Sequence, residues 1–252
     1  MSAARPSVEV HPDADTARRA VADRVARLLQ ERGPRGAVIA LPTGETPRGL
    51  YAELIRRHRE QGLSFAQVTT FGLDEYWPLA PGDPRGFAHF LDAELLDAVG
   101  QPRARRFRLD GSVPEAGVAA ECARYEAALR AAGGLDLLLL GLGRNGHIAF
   151  CEPGSARDSR TRKLALEDGT LADVAKAFGG DAMPRHALSM GIATLLEARE
   201  IALMAFGAGK AQIVQRALEG PIGPDCPASF LREHPRCSFV LDRASASALK
   251  RG

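Results

Sequence analysis

Residues 135–153 read LDLLLLGLGRNGHIAFCEP, and this segment carries both a structural and a chemical signal. Its first six residues are apolar except for one aspartate, which is typical of a strand buried on both faces of a parallel sheet. The glycines that follow end the strand and let the backbone approach a ligand closely. A histidine titrates near neutral pH, and Asn145 and Glu152 are close enough in sequence to orient His147 or hold its charge. The alternative is an ordinary polar histidine after a strand.

Further apolar runs, separated by helical patterns, flank this segment. The predicted strands are residues 37–41, 68–71, 135–140, 201–206 and 238–241. Helices are predicted from a cap at Asp15 and Thr16, and at about 47–61, 87–99 and 117–132. Continuous apolar strands that alternate with helices predict an α/β protein with a parallel sheet covered on both faces. Without a repeat or linker, we expect one domain over residues 1–252, in which the polar, glycine-containing segment 165–183 forms a mobile flap over a site.

Composition excludes several classes of protein. The chain has 252 residues, of which 45% are hydrophobic and 25% charged, as in an ordinary globular protein. A formal net charge of +2 does not indicate nucleic acid or an acidic membrane surface as a partner. No run approaches the ~18 apolar residues of a membrane-spanning helix, and no signal peptide is recognisable. The cysteines have no zinc-binding spacing, so we expect a cytoplasmic protein with reduced thiols at Cys122, Cys151, Cys226 and Cys237.

Polar or glycine-rich segments follow four of the predicted strands. These segments are residues 42–47, 74–76, 141–152 and 207–210. Ligands of open parallel sheets bind at the carboxyl ends of the strands. We therefore expect all four segments to meet in one crevice.

The segment after the first predicted strand has the character of an anion site. Thr43, Gly44, Glu45 and Thr46 precede Pro47, which suits a first helical turn, and Thr46 is expected to cap that helix. Free backbone N–H groups and the helix dipole there favour a phosphate, and threonine hydroxyls add donors. The segment matches neither a nucleotide-binding P-loop nor a dinucleotide fingerprint. A plain strand-to-helix turn is the alternative.

Two charged side chains complete the candidate chemistry. A carboxylate such as Asp74, predicted with Glu75 to close the second strand, can move a proton between adjacent sugar carbons. A solvated acidic pair is the alternative for these two residues. The ammonium group of Lys210 could meet a phosphate as a point charge, or simply begin a helix in solvent.

Taken together, the segments resemble the glucosamine-6-phosphate deaminase family, which is related more distantly to the 6-phosphogluconolactonases. The resemblance runs in order through LPTGETP (41–47), TFGLDEY (70–76), LLGLGRNGHIAFCEP (139–153), SRTR (159–162), ALSMGIATLL (187–196) and GAGKA (207–211). It implies a single-domain, Rossmann-like, three-layer α/β/α fold with a mostly parallel sheet. It also implies a reaction that needs neither a metal nor a cofactor, and a small phosphorylated amino sugar as the binding partner. Either a monomer or a homo-oligomer is compatible with the family.

The resemblance also implies a role for each matching residue. His147 would open the sugar ring, with Asn145 and Glu152 setting its orientation and protonation. Asp74 would then carry a proton between C2 and C1, and loss of ammonia would give fructose 6-phosphate. The expected phosphate-binding residues are Thr43, Gly44, Glu45, Thr46, Lys210 and, in place of the family's arginine, Lys176.

Several residues depart from the family pattern. Asn145 stands where aspartate is common, Glu45 where glycine is common, and Cys151 where asparagine is usual. Lys176 keeps the charge of the arginine that it replaces but lacks its bidentate fork. Two other functions stay open: a 6-phosphogluconolactonase, against which Glu152-Pro153 argues, and a non-catalytic sugar-phosphate sensor. Glucosamine and galactosamine 6-phosphate are not distinguished.

Overall fold

The apolar runs form a parallel sheet in the computed structural model, which describes residues 6–179 and 183–250. Ten strands are present in these ranges: β1 (Ser7–His11), β2 (Val38–Leu41), β3 (Thr69–Gly72), β4 (Asp74–Trp77), β5 (Arg106–Phe107), β6 (Leu137–Gly141), β7 (Arg162–Ala165), β8 (His186–Ser189), β9 (Ile201–Ala205) and β10 (Cys237–Asp242). Seven of them form one sheet in the order β1-β10-β9-β6-β2-β3-β5. Every neighbouring pair in that sheet is parallel.

Helices cover both faces of this sheet. The α-helices are α1 (Ala14–Arg32), α2 (Glu45–Gln61), α3 (Phe87–Leu91), α4 (Val118–Ala131), α5 (Asp168–Phe178), α6 (Ile192–Leu196) and α7 (Ala211–Glu219). Side chains alternate along β6: Leu137 and Leu139 pack in one apolar cluster with residues of α1 and α2, and Leu138 and Leu140 in another with residues of α4 and α7. All four are buried, and each contributes roughly 1.5–3 kcal/mol to folding. The structure confirms the three-layer α/β/α fold.

Two predicted helix starts are wrong by a few residues. Asp13, rather than Asp15 or Thr16, caps α1, because its carboxylate accepts the backbone N–H of Thr16 at 2.7 Å. The second helix begins at Glu45, so Thr46 lies inside its first turn and cannot be its cap. The capping position belongs to Gly44, whose φ of 95° lies in the left-handed region that glycine favours.

A second, antiparallel sheet in the order β4-β8-β7 was not predicted. The prediction that Asp74 and Glu75 close the second strand is wrong, since β3 ends at Gly72 and Asp74 begins β4 opposite Ser189. The chain leaves the parallel sheet at Leu73 and pairs with a different strand.

The predicted flap follows β7 and contains α5. Phe178 packs edge-on against Tyr76 of β4 with ring centroids 5.3 Å apart, and Val174 is buried in the same apolar cluster. Residues 180–182 of the predicted flap lie outside the described residues. The flap thus packs on the antiparallel sheet, whereas its mobility and the one-domain organisation stay predictions.

In the described ranges, no helix combines the length and apolar character needed to cross a membrane. A cytoplasmic location stays a prediction.

Candidate active site

A cleft of about 590 Å³ opens at the carboxyl ends of β2, β6 and β9. All four predicted polar segments contribute to its lining, as expected for ligand sites of parallel sheets. The predicted site residues that line it are Thr43, Gly44, Glu45, Thr46, Asp74, Asn145, His147 and Lys210. Glu152 lies behind His147, as described below. The side chain of Lys176 lies outside the described part of the chain.

One end of the cleft is formed by the start of α2. The loop before this helix is anchored by Tyr51, whose buried hydroxyl donates to the carbonyl of Pro42 at 2.5 Å. The first backbone N–H groups of a 17-residue helix have no intrahelical acceptors, and together with the dipole they attract an anion. Nζ of Lys210 donates to the carbonyl of Leu142 at 2.6 Å, which holds the ammonium group at the wall of the cleft.

The carboxylate of Glu45 does not occupy the anion position. Its side chain is 88% exposed, and its Oε1 accepts from Nε of Arg48 at 3.1 Å. The negative charge therefore points to solvent, and Glu45 offers only its backbone to a ligand.

A histidine and a glutamate face each other on the β6 side. Nδ1 of His147 lies 3.2 Å from Oε2 of Glu152, although their alignment falls short of a regular hydrogen bond. Burial raises the pKa of the Glu152 carboxyl, but His147 and hydrogen bonds from Thr170 and Asn145 outweigh this effect and leave the pKa below its usual value. An ionised Glu152 is therefore available to stabilise a protonated His147.

The backbone of the glycine-rich loop fits closely around His147. A Cβ atom on Gly143 would stand 2.3 Å from a ring carbon of His147, so only glycine allows the imidazole to lie against the chain. Oδ1 of Asn145 accepts the backbone N–H of His147 at 3.2 Å. Ala149 has a φ of 49°, a strained value for a residue with a side chain. The loop thus holds the backbone of His147 in place and leaves room for its ring against Gly143.

The flap supplies two contacts that the sequence did not reveal. The hydroxyl of Thr170 donates to Oε1 of Glu152. The amide nitrogen of Asn145 donates to Oε2 of Glu152 at 2.7 Å and to Oε2 of Glu167 at 3.2 Å. Asn145 therefore joins two carboxylates through the two hydrogens of one amide group, whereas an aspartate could donate only one hydrogen bond, and only when protonated.

Asp74 occupies an environment that favours its neutral form. Burial raises the pKa of its carboxyl from 3.8 to about 8, and the charge of Glu75 adds to the shift. Glu75 itself accepts the backbone N–H groups of Phe87 and Ala88, both at 2.8 Å, at the start of α3. Glu75 is thus a helix-capping residue, whereas Asp74 lines the cleft and is free to exchange protons there.

Two further residues belong to this region, one in the wall of the cleft and one beneath it. Arg144 is exposed and lines the cleft, although no role was predicted for it from the sequence. Cys151 is buried beneath the loop, where Sγ donates to the carbonyl of Met190 at 3.2 Å. Burial raises the pKa of this thiol to about 11, so Cys151 contributes packing. No group of three or more metal-ligating side chains is found among residues 6–179 and 183–250.

The structure is a Rossmann-like α/β protein whose cleft brings a buried carboxyl and a histidine–glutamate pair beside a helix N-terminus. Residues 12–239 match the family described as glucosamine-6-phosphate isomerases/6-phosphogluconolactonase, and the chain belongs to that family.

Named relatives are similar over nearly their whole length. Glucosamine-6-phosphate deaminase 1 of Giardia intestinalis is 44% identical over 94% of this chain and 88% of its own. The glucosamine-6-phosphate deaminase of Rhodopirellula baltica is 43% identical over 96% of this chain and 95% of its own.

Solved structures agree with this assignment. A monomeric glucosamine-6-phosphate deaminase superposes with a TM-score of 0.91 at 37% identity, covering 96% of this chain and 99% of that one. The 6-phosphogluconolactonase of Trypanosoma brucei has a TM-score of 0.73 at 22% identity, with 98% and 99% coverage. The second similarity shows the shared fold alone.

Proposed function

We propose that this protein is a glucosamine-6-phosphate deaminase, which converts glucosamine 6-phosphate and water to fructose 6-phosphate and ammonia in amino-sugar breakdown. The observation that carries the proposal is the buried carboxyl of Asp74 in the same cleft as the His147–Glu152 pair. A carboxyl of this kind can transfer a proton between adjacent sugar carbons, and the histidine–glutamate pair can serve as a separate acid–base group for ring opening. The similarity to two named deaminases at above 40% identity supports the same reaction.

The start of α2 is the proposed phosphate site. The phosphate would accept hydrogen bonds from the backbone N–H groups of Gly44, Glu45 and Thr46. The hydroxyl groups of Thr43 and Thr46 would donate as well, and Lys210 would add an ammonium charge. Lys176 stays a proposed second cation. Fixing the phosphate here orients the sugar along the cleft toward Asp74 and His147.

Ring opening is the first proposed chemical step. His147 gives a proton to the ring oxygen as the bond between C1 and that oxygen breaks, and then takes the proton of the C1 hydroxyl, which gives the open-chain aldehyde. Glu152 stabilises the protonated imidazole, and Asn145 holds both groups in place through its two hydrogen bonds. No proton is gained or lost overall in this step.

Isomerisation follows at C2 and C1. Asp74, as a carboxylate, takes the C2 proton while one proton of the substrate's ammonium group passes to the C1 oxygen, which leaves an enolamine. Asp74 then returns its proton to C1. The product is an iminium at C2. Water adds to that carbon and ammonia leaves, which gives the ketone of fructose 6-phosphate. The substrate's ammonium group beside Asp74 would lower the carboxyl pKa from about 8, and so favour the base form when substrate is bound.

Two substrates separate this function from its alternatives. The purified chain is offered glucosamine 6-phosphate and, separately, 6-phosphogluconolactone, and ammonia, fructose 6-phosphate and lactone hydrolysis are measured. We expect ammonia and fructose 6-phosphate from the first substrate and only background hydrolysis of the second. Fast lactone hydrolysis without ammonia would identify a lactonase, and binding without turnover of either would identify a sensor.

A further inference from the structure

A second concave surface lies at the end of the parallel sheet that is opposite to the active-site cleft. It encloses about 330 Å³ between α1 and the amino-terminal ends of β6, β9 and β10. Its charged lining residues are Arg24, Arg27, Glu31, Arg32, Arg35, Asp136, Arg199, Glu200 and Arg236. Six guanidinium groups therefore share this arginine cleft with only three carboxylates.

Two of these carboxylates are already committed to ion pairs. Asp136 is paired with Arg32 and accepts from Arg199 at 2.8 Å. Glu200 accepts from Arg236 at 2.9 Å and lies 3.4 Å from Nε of Arg24. These carboxylates hold four guanidinium groups in place but do not neutralise them.

Positive charge stays in excess even when Glu31 and Glu9, a carboxylate just outside the lining, are counted, because six guanidinium groups then face four carboxylates. Nη1 of Arg24 is buried without a hydrogen-bond acceptor, although Nη2 of the same group meets Glu9 at 2.6 Å. Arg27 has no carboxylate partner among the residues that the structure describes, and Arg35 reaches only the backbone carbonyl of Glu31, at 3.4 Å. Guanidinium groups gathered in a concavity without enough carboxylates repel one another, and an anion relieves that repulsion.

We propose that the arginine cleft binds a small anion with at least two negative charges on phosphoryl groups. Guanidinium groups match phosphoryl oxygens through paired N–H donors, which makes arginine suited to such ligands. The volume of about 330 Å³ is near the lower limit for small-molecule sites, so it suits pyrophosphate or a compact organic phosphate. A strand of five residues such as β6 spans ~16 Å, so the ligand is separate from one in the active-site cleft.

The test measures pyrophosphate binding to the full chain by titration calorimetry, at about 0.15 M salt so that diffuse surface attraction is screened. The cleft variant is Arg27→Gln with Arg35→Gln, which removes two guanidinium groups but leaves the Asp136 and Glu200 ion pairs. The control is Arg19→Gln, an exposed arginine of the same helix outside the cleft. Pyrophosphate that enters the active-site cleft is common to all three proteins and cancels in the comparison.

We expect the double variant to bind at least ~10-fold more weakly, because a hydrogen bond to a charged group is lost with each guanidinium. The control should bind like the parent, and turnover of glucosamine 6-phosphate should stay within about twofold in both variants. Unchanged binding by the double variant, or an equal loss in Arg19→Gln, would overturn the proposal. Thermal unfolding checks that the variants are folded, and Arg27→Gln alone serves if the double variant is not.

Discussion

Replacing Asp74 with asparagine should stabilise the protein, and the gain should depend on pH. In the folded chain burial raises the pKa of this carboxyl from 3.8 to about 8. Between those two values the unfolded chain is ionised whereas the folded chain keeps its proton, so the parent loses stability as pH rises from about 4 to about 8. Above that range the loss is constant. The asparagine side chain of the variant has no such penalty because it does not ionise.

The size of the effect follows from the shift. One pKa unit corresponds to roughly 1.4 kcal/mol, so the shift sets an upper limit on the order of 6 kcal/mol. The free energy of unfolding of Asp74→Asn minus that of the parent should therefore be at least ~1–2 kcal/mol larger near pH 9 than near pH 5.

Urea unfolding followed by the fluorescence of Trp77, the single tryptophan, measures this difference at both pH values. Glu45→Gln, an exposed carboxylate of the same cleft, is the matched control and should show no pH-dependent gain. A gain for Asp74→Asn that stays constant with pH, or that shrinks as pH rises, would refute the raised pKa.

Three further substitutions test the positions of other groups. Gly143→Ala should lower kcat/KM by ~10²-fold, since its methyl group would stand 2.3 Å from a carbon of the His147 imidazole, the proposed proton carrier for ring opening. Gly141→Ala, whose methyl group would meet nothing within 4 Å, should leave kcat/KM near the parent value. Asn145→Asp should lower kcat by ~10-fold at neutral pH, because it replaces a donor between two carboxylates with a third carboxylate. Glu167→Gln in that background should restore part of the rate, and a failure to do so would argue against the bridge. Lys210→Ala should raise KM for glucosamine 6-phosphate by ~10-fold or more but leave turnover of unphosphorylated glucosamine nearly unchanged. Equal effects on both substrates would show that Lys210 does not bind the phosphate.

The sequence was sufficient to predict the central strands and to predict that the four polar segments line one cleft. An apolar run such as residues 135–140 has few alternatives to a buried strand. In a parallel sheet the loops that follow the strands lie at the same end of the sheet, so the four segments meet there. Strand β1 was missed because it lies at the sheet edge with polar residues between its valines. An edge strand has one side open to solvent, and Val8 and Val10 are 43% and 50% exposed. Such a strand does not need the continuous apolar run by which the central strands were recognised.

Contacts that depend on long-range packing could not be predicted. The antiparallel sheet joins Asp74 with Ser189, residues more than a hundred positions apart, and local propensity carries no information on that pairing. The same holds for Thr170, which reaches Glu152 only because α5 folds over the loop. The role of Glu75 as a helix cap likewise depends on the position of α3. The raised pKa of Asp74 follows mainly from the burial that these arrangements produce, and the charge of Glu75, its neighbour in sequence, adds to it.

The most direct test of the proposed reaction is the yield of both products from glucosamine 6-phosphate, measured for the parent and for Asp74→Asn. We expect the parent to release ammonia and fructose 6-phosphate in equal amounts. Asp74→Asn should form both ~10²–10⁴-fold more slowly with substrate affinity within a few-fold of the parent, because one positioned proton carrier is lost. Ammonia release at the parent rate by Asp74→Asn, or ammonia without fructose 6-phosphate, would contradict the proposed reaction.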